Sequence, residues 1–322
     1  MVRESVDSRS TSAIIPRPFL PRNPAPFDCR FGCLMTTAIQ SLLTGLIDYA
    51  GLFPPAKLDM DPAVRTYARC RLSPEAWMLS RFICPVARFD EFARIAPAAV
   101  PADASWQLSA LLGTDLGSDL QAVESLERRL EGRVAVPAVE FKADGIRGVD
   151  NALETIPEDI EAWCELPWNT DVRGLVAALS GTGMGAKLRT GGLEPSAFPP
   201  PEAMARFIVA CRDADVPIKM TAGMHHPIRH ESADVRCKMH GFLNAFLGAI
   251  ACRVLDLNLA QTTRILEIES PAAFSWTDSS VEFLSFRLTQ EQIADARSWA
   301  RSFGSCSFDE PVADLRALRL LP

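Results

Sequence analysis

From residue 36 onward, short apolar segments alternate with longer amphipathic ones. The short segments are rich in β-formers and each runs into a turn: GLIDYAG (45–51), RFICPV (81–86), QLSALLG (107–113), AVEFKA (138–143), AWCELP (162–167), AKLRTGG (186–192) and PIKMTAG (217–223). Between them lie helical patterns. SDLQAVESLERRLEG (118–132) opens on a capping residue, Ser118 or Asp119. In PPPEAMARFIVACRDADV (199–216), Met204, Phe207, Ile208 and Cys211 form one stripe at helical period, and the leading prolines suit a first turn. Strands alternating with helices imply parallel βαβ units. Seven such units, about 25–35 residues apart, predict an α/β fold of the (β/α)8 TIM type. An open doubly wound sheet accommodates the same seven strands, so an eighth decides. VEFLSFRL (281–288) and SFGSCSF (302–308) are the candidates, the latter leading into a last helix, EPVADLRALRLL. The interval 224–301 is too long for one connection and predicts an insertion between the seventh and eighth strands. It carries a helix over 233–255, another near 258–268 and a further strand.

Residues 1–34 mix prolines, arginines and serines without periodicity and lack the long apolar run of a secretory signal. They are expected to form a disordered extension, with Met35 opening the first helix and 35–322 forming one domain. A net charge of −7 with no long block of either sign argues against nucleic acid and anionic lipid as partners. The most apolar stretch, FLNAFLGAIAC (242–252), is too short to span a bilayer and contains an asparagine. Nine cysteines without a CxxC pair suggest core thiols in a reducing cytoplasm; Cys29 and Cys33 form a weak CxxxC in the tail.

Charge inside the strands changes the picture most. Asp48, Glu140, Lys142, Glu165, Lys187, Arg189 and Lys219 all fall in segments that a parallel barrel covers on both faces. A lone buried ammonium costs several kcal/mol, so these groups must pair. Alternation puts Lys187 and Arg189 on one face, and Glu140 and Lys142 on one face. All lie toward the C-terminal ends of their strands, where barrels of this type place active sites. One polar cup is expected, with a purely structural ion-pair network as the alternative. Lysine attacks a carbonyl only when neutral, and burial beside another cation lowers its pKa. Lys187, Arg189 and Lys219 converging would supply that setting, with Glu140, Glu165 or Asp48 moving protons to a carbinolamine. Arg189 can also clamp a carboxylate or phosphate with two hydrogen bonds.

AKLRTGG and PIKMTAG together resemble the sixth and seventh strands of class I aldolases of the deoxyribose-phosphate aldolase type. Lys187 stands four residues before Gly191, and Lys219 four before Gly223. SFGSCSF is similar to the family's final strand, whose Gly-Ser turn helps to hold a substrate phosphate. The resemblance implies a lyase in which Lys187 forms the Schiff base and Lys219 lowers its pKa. Thr190, Gly191, Gly223, Gly304 and Ser305 would then surround the substrate. Arg189 stands where the family has a small residue, and His225 and His226 follow Gly223.

All four histidines fall between 225 and 240. His225 and His226 suit acid–base work, substrate binding or a structural loop role. Used as metal ligands they define an alternative, a metal-dependent hydrolase or isomerase. Pro227 nevertheless breaks the helical spacing of His226 and His230, and no zinc motif matches. His230 is expected in solvent between Arg229 and Glu231, and His240 in the core on a helix. DYAGLFPPAK (48–57) predicts a rigid loop at the active face. GTGMG (181–185) precedes a strand, which excludes a dinucleotide or P-loop role. Cys306 is a nucleophile candidate whose base partner the sequence does not name. Taken together, these features predict a cytoplasmic, cofactor-free lyase acting on a small phosphorylated or carboxylated carbonyl compound. A homo-oligomer is compatible with the composition, and a non-catalytic anion-binding barrel is the third reading.

Overall fold

The computed structural model describes residues 36–101, 104–143 and 145–322. The expected tail, Met35 and the Cys29–Cys33 pair lie outside the described residues. Seven strands follow one another in the chain: β1 (Ile47–Tyr49), β2 (Leu79–Pro85), β3 (Trp106–Leu111), β4 (Val134–Lys142), β5 (Glu161–Leu166), β6 (Gly185–Arg189) and β7 (Ile218–Thr221). Two small antiparallel sheets come next, the hairpin β8 (His230–Ser232) and β9 (Cys237–Met239), and the meander β10 (Phe274–Trp276), β11 (Ser280–Phe283) and β12 (Phe286–Thr289). The last strand, β13 (Ala300–Ser305), pairs with β7 on one side and β1 on the other. Eight parallel strands thus close a TIM-type (β/α)8 barrel with an insertion before its final strand.

Eleven helices are described: α1 (Ala38–Leu43), α2 (Met60–Cys70), α3 (Phe89–Ile95), α4 (Leu116–Arg129), α5 (Ile146–Thr155), α6 (Arg173–Leu179), α7 (Pro201–Asp213), α8 (Phe242–Val254), α9 (Leu259–Leu266), α10 (Gln290–Ala296) and α11 (Asp309–Ala317). The stripe expected on α7 is buried, and Pro201 occupies its first turn. The cap of α4 is Asp115, whose side chain accepts from the Ser118 N–H at 3.0 Å, not Ser118 or Asp119. Leu116 is buried at the start of that helix, which moves its N-terminus earlier.

Of the two candidates for the eighth strand, the SFGSCSF region supplies it. VEFLSFRL instead reverses at Leu284, which holds a left-handed φ of 53°, and becomes β11 and β12. Its alternation covers one face only: Val281, Phe283 and Leu288 are buried while Glu282 and Arg287 are exposed. That pattern suits an antiparallel sheet with one wet face, not a barrel stave. The helix expected over 233–255 begins only at Phe242, because 230–239 pair as the hairpin with a turn at Arg236 (φ 54°). His240 therefore precedes the helix. α8 is buried almost all round, which accounts for its continuous apolar run. Its Asn244 donates to the carbonyls of Ile265 and Ile268 and accepts from the Arg229 N–H, fixing α9 and the loop after β7 against it. Among the described residues no helix is long and apolar enough to cross a membrane.

Outside the barrel wall, Tyr49, Tyr67, Phe82, Phe92 and Trp106 pack as one aromatic cluster with ring centroids 5.2–5.9 Å apart. Inside it, alternation turns Glu161, Trp163 and Glu165 of β5 to one face. A Cβ on Gly185 of the neighbouring strand would overlap the Trp163 ring, so the glycine makes room for an indole in the barrel. Gly185→Ala is expected to cost about 1–3 kcal/mol in chemical denaturation, the range for overpacking a core. Gly174→Ala, where the added carbon meets nothing, serves as the control and should not lower stability.

Candidate functional site

The strand charges form a single chain through the upper barrel. Asp48 Oδ2 meets Lys219 Nζ at 2.7 Å, Lys219 meets Glu140 Oε1 at 2.6 Å, and Glu140 Oε2 meets Lys187 Nζ at 2.6 Å. Lys187 continues to Glu165 Oε2 at 2.9 Å, and Glu165 reaches the exposed Lys142 at 3.4 Å. Three carboxylates thus alternate with three amines. Ser109 donates to Glu140 at 2.8 Å, and Ser302 and the Arg81 N–H donate to Asp48 at 2.7 and 3.0 Å. Near the other end, Glu161 binds both Arg81 and Arg301, the latter at 3.0 Å.

This arrangement corrects the expectation of converging cations. Lys187 and Lys219 are register partners on adjacent strands, but the Glu140 carboxylate stands between their amines. Burial alone would push Lys187 down. Glu140 and Glu165 outweigh it and hold the ammonium above its ordinary value, opposite to the shift a nucleophilic amine needs. Burial would likewise push Glu140 and Asp48 up, and the lysines hold both below the usual carboxylate range. Nor is this an open cup. Asp48, Glu140, Lys187 and Lys219 are all 3 % exposed or less.

Above the network, at the C-terminal ends of β1, β6, β7 and β13, lies a cavity of about 680 Å³. Arg189 is exposed and lines it, apart from the lysines. His225, His226 and Gly223 line it as well; the five expected catalytic residues do not. Thr190 is a structural residue, its hydroxyl donating to the Ala222 carbonyl at 2.5 Å. This bond secures a turn in which Ala222 and Gly223 take left-handed φ of 65° and 73°. Gly191 packs its α-carbon against that of Gly223, so neither position has room for a side chain. Gly304 and Ser305 belong to β13 rather than to a phosphate-binding turn, and Ser305 donates to the Ser307 carbonyl at 2.6 Å.

The turn after β7 delivers His225 to the end of β13. There His225 Nε2 lies 3.6 Å from Cys306 Sγ, and Nδ1 lies 2.8 Å from Glu310 Oε2 at the start of α11. With Nδ1–H donating to Glu310, Nε2 is free to accept the thiol proton. Burial pushes the Cys306 thiol above its ordinary value, countered in part by the backbone N–H of Ala56. Thiol, imidazole and carboxylate thus stand in a row, an order that would let the imidazole act as a base toward the thiol. Sequence inspection found the cysteine and the histidine but not the pairing, because 81 positions separate them. The adjacency of β7 and β13 is the signal that joins them.

The other histidines divide. His226 Nδ1 meets Asp314 at 2.5 Å and its ring packs edge-on against His230, 4.4 Å away between centroids. His230 is half-buried rather than solvated, with Nδ1 bound to the Ile228 carbonyl. His240 is fully buried and donates Nε2–H to Pro199 at 2.7 Å; burial lowers its pKa to about 4. No group of three or more His, Cys, Asp or Glu able to hold a metal occurs among the described residues. Comparison with known proteins finds no matching family model, no matching curated protein and no matching solved structure.

Lys219→Met would strand two buried carboxylates and should cost about 3–5 kcal/mol in chemical denaturation. The pH dependence has a definite sign. Asp48, Glu140, Glu161 and Glu165 are all held below their ordinary values, so their contribution is present above an unfolded pKa near 4 and lost as pH falls through the folded ones. Lys187, held above its ordinary value, contributes below an unfolded pKa of about 10.4 and loses that contribution as pH rises past its folded value. Thermal melts should therefore show the midpoint declining below about pH 4 and again above about pH 10.

Proposed function

We propose that the protein is an enzyme acting on a small anionic compound held in the cavity at the barrel's C-terminal rim, with Cys306 as nucleophile. The observation that carries this is the Cys306–His225–Glu310 relay opening onto that cavity. His225 takes the thiol proton as sulfur attacks the electrophilic atom, Glu310 stabilises the resulting imidazolium, and His225 returns the proton to the departing or newly charged atom. Arg189 supplies the fixed positive charge that favours an anionic ligand. The buried charge chain below acts as a rigid floor.

A lysine Schiff base at Lys187, as in the aldolases its motif resembles, is the second reading. In its favour, carboxylates flank the Lys187 amine at 2.6 and 2.9 Å, placed to exchange protons with a carbinolamine. It requires the ammonium to lose its proton and a path to open from the cavity.

Alkylation followed by peptide mapping tests the first reading. Iodoacetate should modify Cys306 faster than iodoacetamide does, and Arg189→Ala should remove that preference. His225→Ala should slow alkylation about a hundredfold, the low end for a lost general base. Because burial raises the thiol's pKa, the rate without His225 should keep climbing at alkaline pH. A Cys306 that reacts no faster than the half-buried Cys237 would overturn the proposal. Borohydride trapping of an aldehyde on Lys187 would favour the second reading instead.

A further inference from the structure

The chain has two tyrosines, and both are buried in the same aromatic cluster. The Tyr67 hydroxyl donates to the Ser80 carbonyl at 2.5 Å. The Tyr49 hydroxyl, on a residue only 1 % exposed, has no hydrogen-bond partner; it lies beside Thr66 without acceptable bonding geometry. Buried tyrosines ordinarily find a partner, and a native orphan requires a reason.

Position supplies one. Tyr49 lines the rim cavity, as do Thr66 and Cys306. It is the register partner of Ser305, the residue before Cys306, and the Ala50 N–H donates to the Ser305 carbonyl at 2.6 Å. Tyr49 and Cys306 therefore stand at the ends of adjacent staves and both border this cavity. The loop after β1 is built around this side chain. A Cβ on Gly51 would overlap the Tyr49 ring and hydroxyl, so DYAG keeps a glycine there. Among the described residues, the other buried side-chain polar atoms without partners belong to residues that do not line this cavity.

We infer that the Tyr49 hydroxyl is the hydrogen-bond donor for the carbonyl oxygen of the compound that Cys306 attacks. This rests on the thiol reading above and narrows it. The electrophile is a carbonyl carbon, and the ligand class is a small carboxylate-bearing aldehyde, ketone or activated acyl compound. In the addition step the S–H bond breaks, the S–C bond forms and the carbonyl π pair moves to oxygen. That oxygen takes hydrogen bonding from Tyr49 and then the proton from His225, giving a neutral hemithioacetal with an aldehyde. The step needs no oxidant or co-reactant. A donor placed where negative charge develops stabilises the addition more than the free carbonyl. Burial raises the Tyr49 pKa to about 12, which keeps the hydroxyl a donor at neutral pH.

The test uses glyoxylate labelled with carbon-13 at the aldehyde, observed by NMR on the full chain, with protection of Cys306 from iodoacetamide giving its affinity. Wild type should show the hemithioacetal carbon, and Cys306→Ser should not. Tyr49→Phe should fold with an unchanged or higher melting temperature, since it removes an orphan hydroxyl, and should bind glyoxylate at least fivefold more weakly. That loss should exceed any change in its iodoacetamide rate, because alkylation develops no charge on a carbonyl oxygen. A loss below fivefold, or no adduct on a wild-type Cys306 that alkylates rapidly, would overturn the role of Tyr49 while leaving the thiol reading standing. Absence of His225-dependent alkylation would remove the thiol reading itself.

Discussion

A carboxylate held between two ammoniums, Glu140 with Lys187 and Lys219 at 2.6 Å each, is the constraint around which the barrel interior is organised. None of the three could be buried alone. Desolvation penalises each charged form, and only mutual attraction together with hydrogen bonds from groups such as Ser109 offsets it. The partners sit on β4, β6 and β7, and Asp48 and Glu165 extend the chain to β1 and β5. Because the strands must be in register for the charges to meet, the network specifies which staves neighbour which and by how much they are offset.

The network also decides where chemistry can occur. An ammonium clasped by two carboxylates is held protonated, so at rest the Lys187 amine is not poised for attack. The proposed thiol relay lies one layer higher, where backbone leaves the strands. The turn after β7 is held by the Thr190 hydroxyl and by contact between Gly191 and Gly223, and it presents His225 to Cys306. The loop after β1 folds over Tyr49 at Gly51. Rigid strands thereby position three side chains at or just beyond their C-terminal ends, a division of labour common in this architecture.

Much of this was legible along the chain. The period-2 and period-3.6 alternation located seven of the eight barrel strands, and the stripe on α7 matched its buried face. The identity of the strand charges was legible too, as was the need for them to pair. Their partners were not. Nothing in AKLRTGG or PIKMTAG says that Glu140 inserts between the lysines, or that Arg189, two residues beyond Lys187, leaves the interior for the rim. The 230–239 hairpin was missed because its residues are half-wet and short, and an adjacent apolar helix extended the helical pattern over them.

By itself, the sequence determined the alternation of strand and helix, the parallel α/β class of fold, and the presence of several charges that a core cannot hold unpaired. These are local or compositional properties, set by side-chain spacing and by the cost of desolvation. Which residue closes on which was decided only in the tertiary structure. Closure brings β13 between β7 and β1, and that adjacency joins Cys306 to His225 across 81 positions and to the end of β1 that carries Tyr49. Such contacts depend on strand order and register, which no pattern within a single segment encodes.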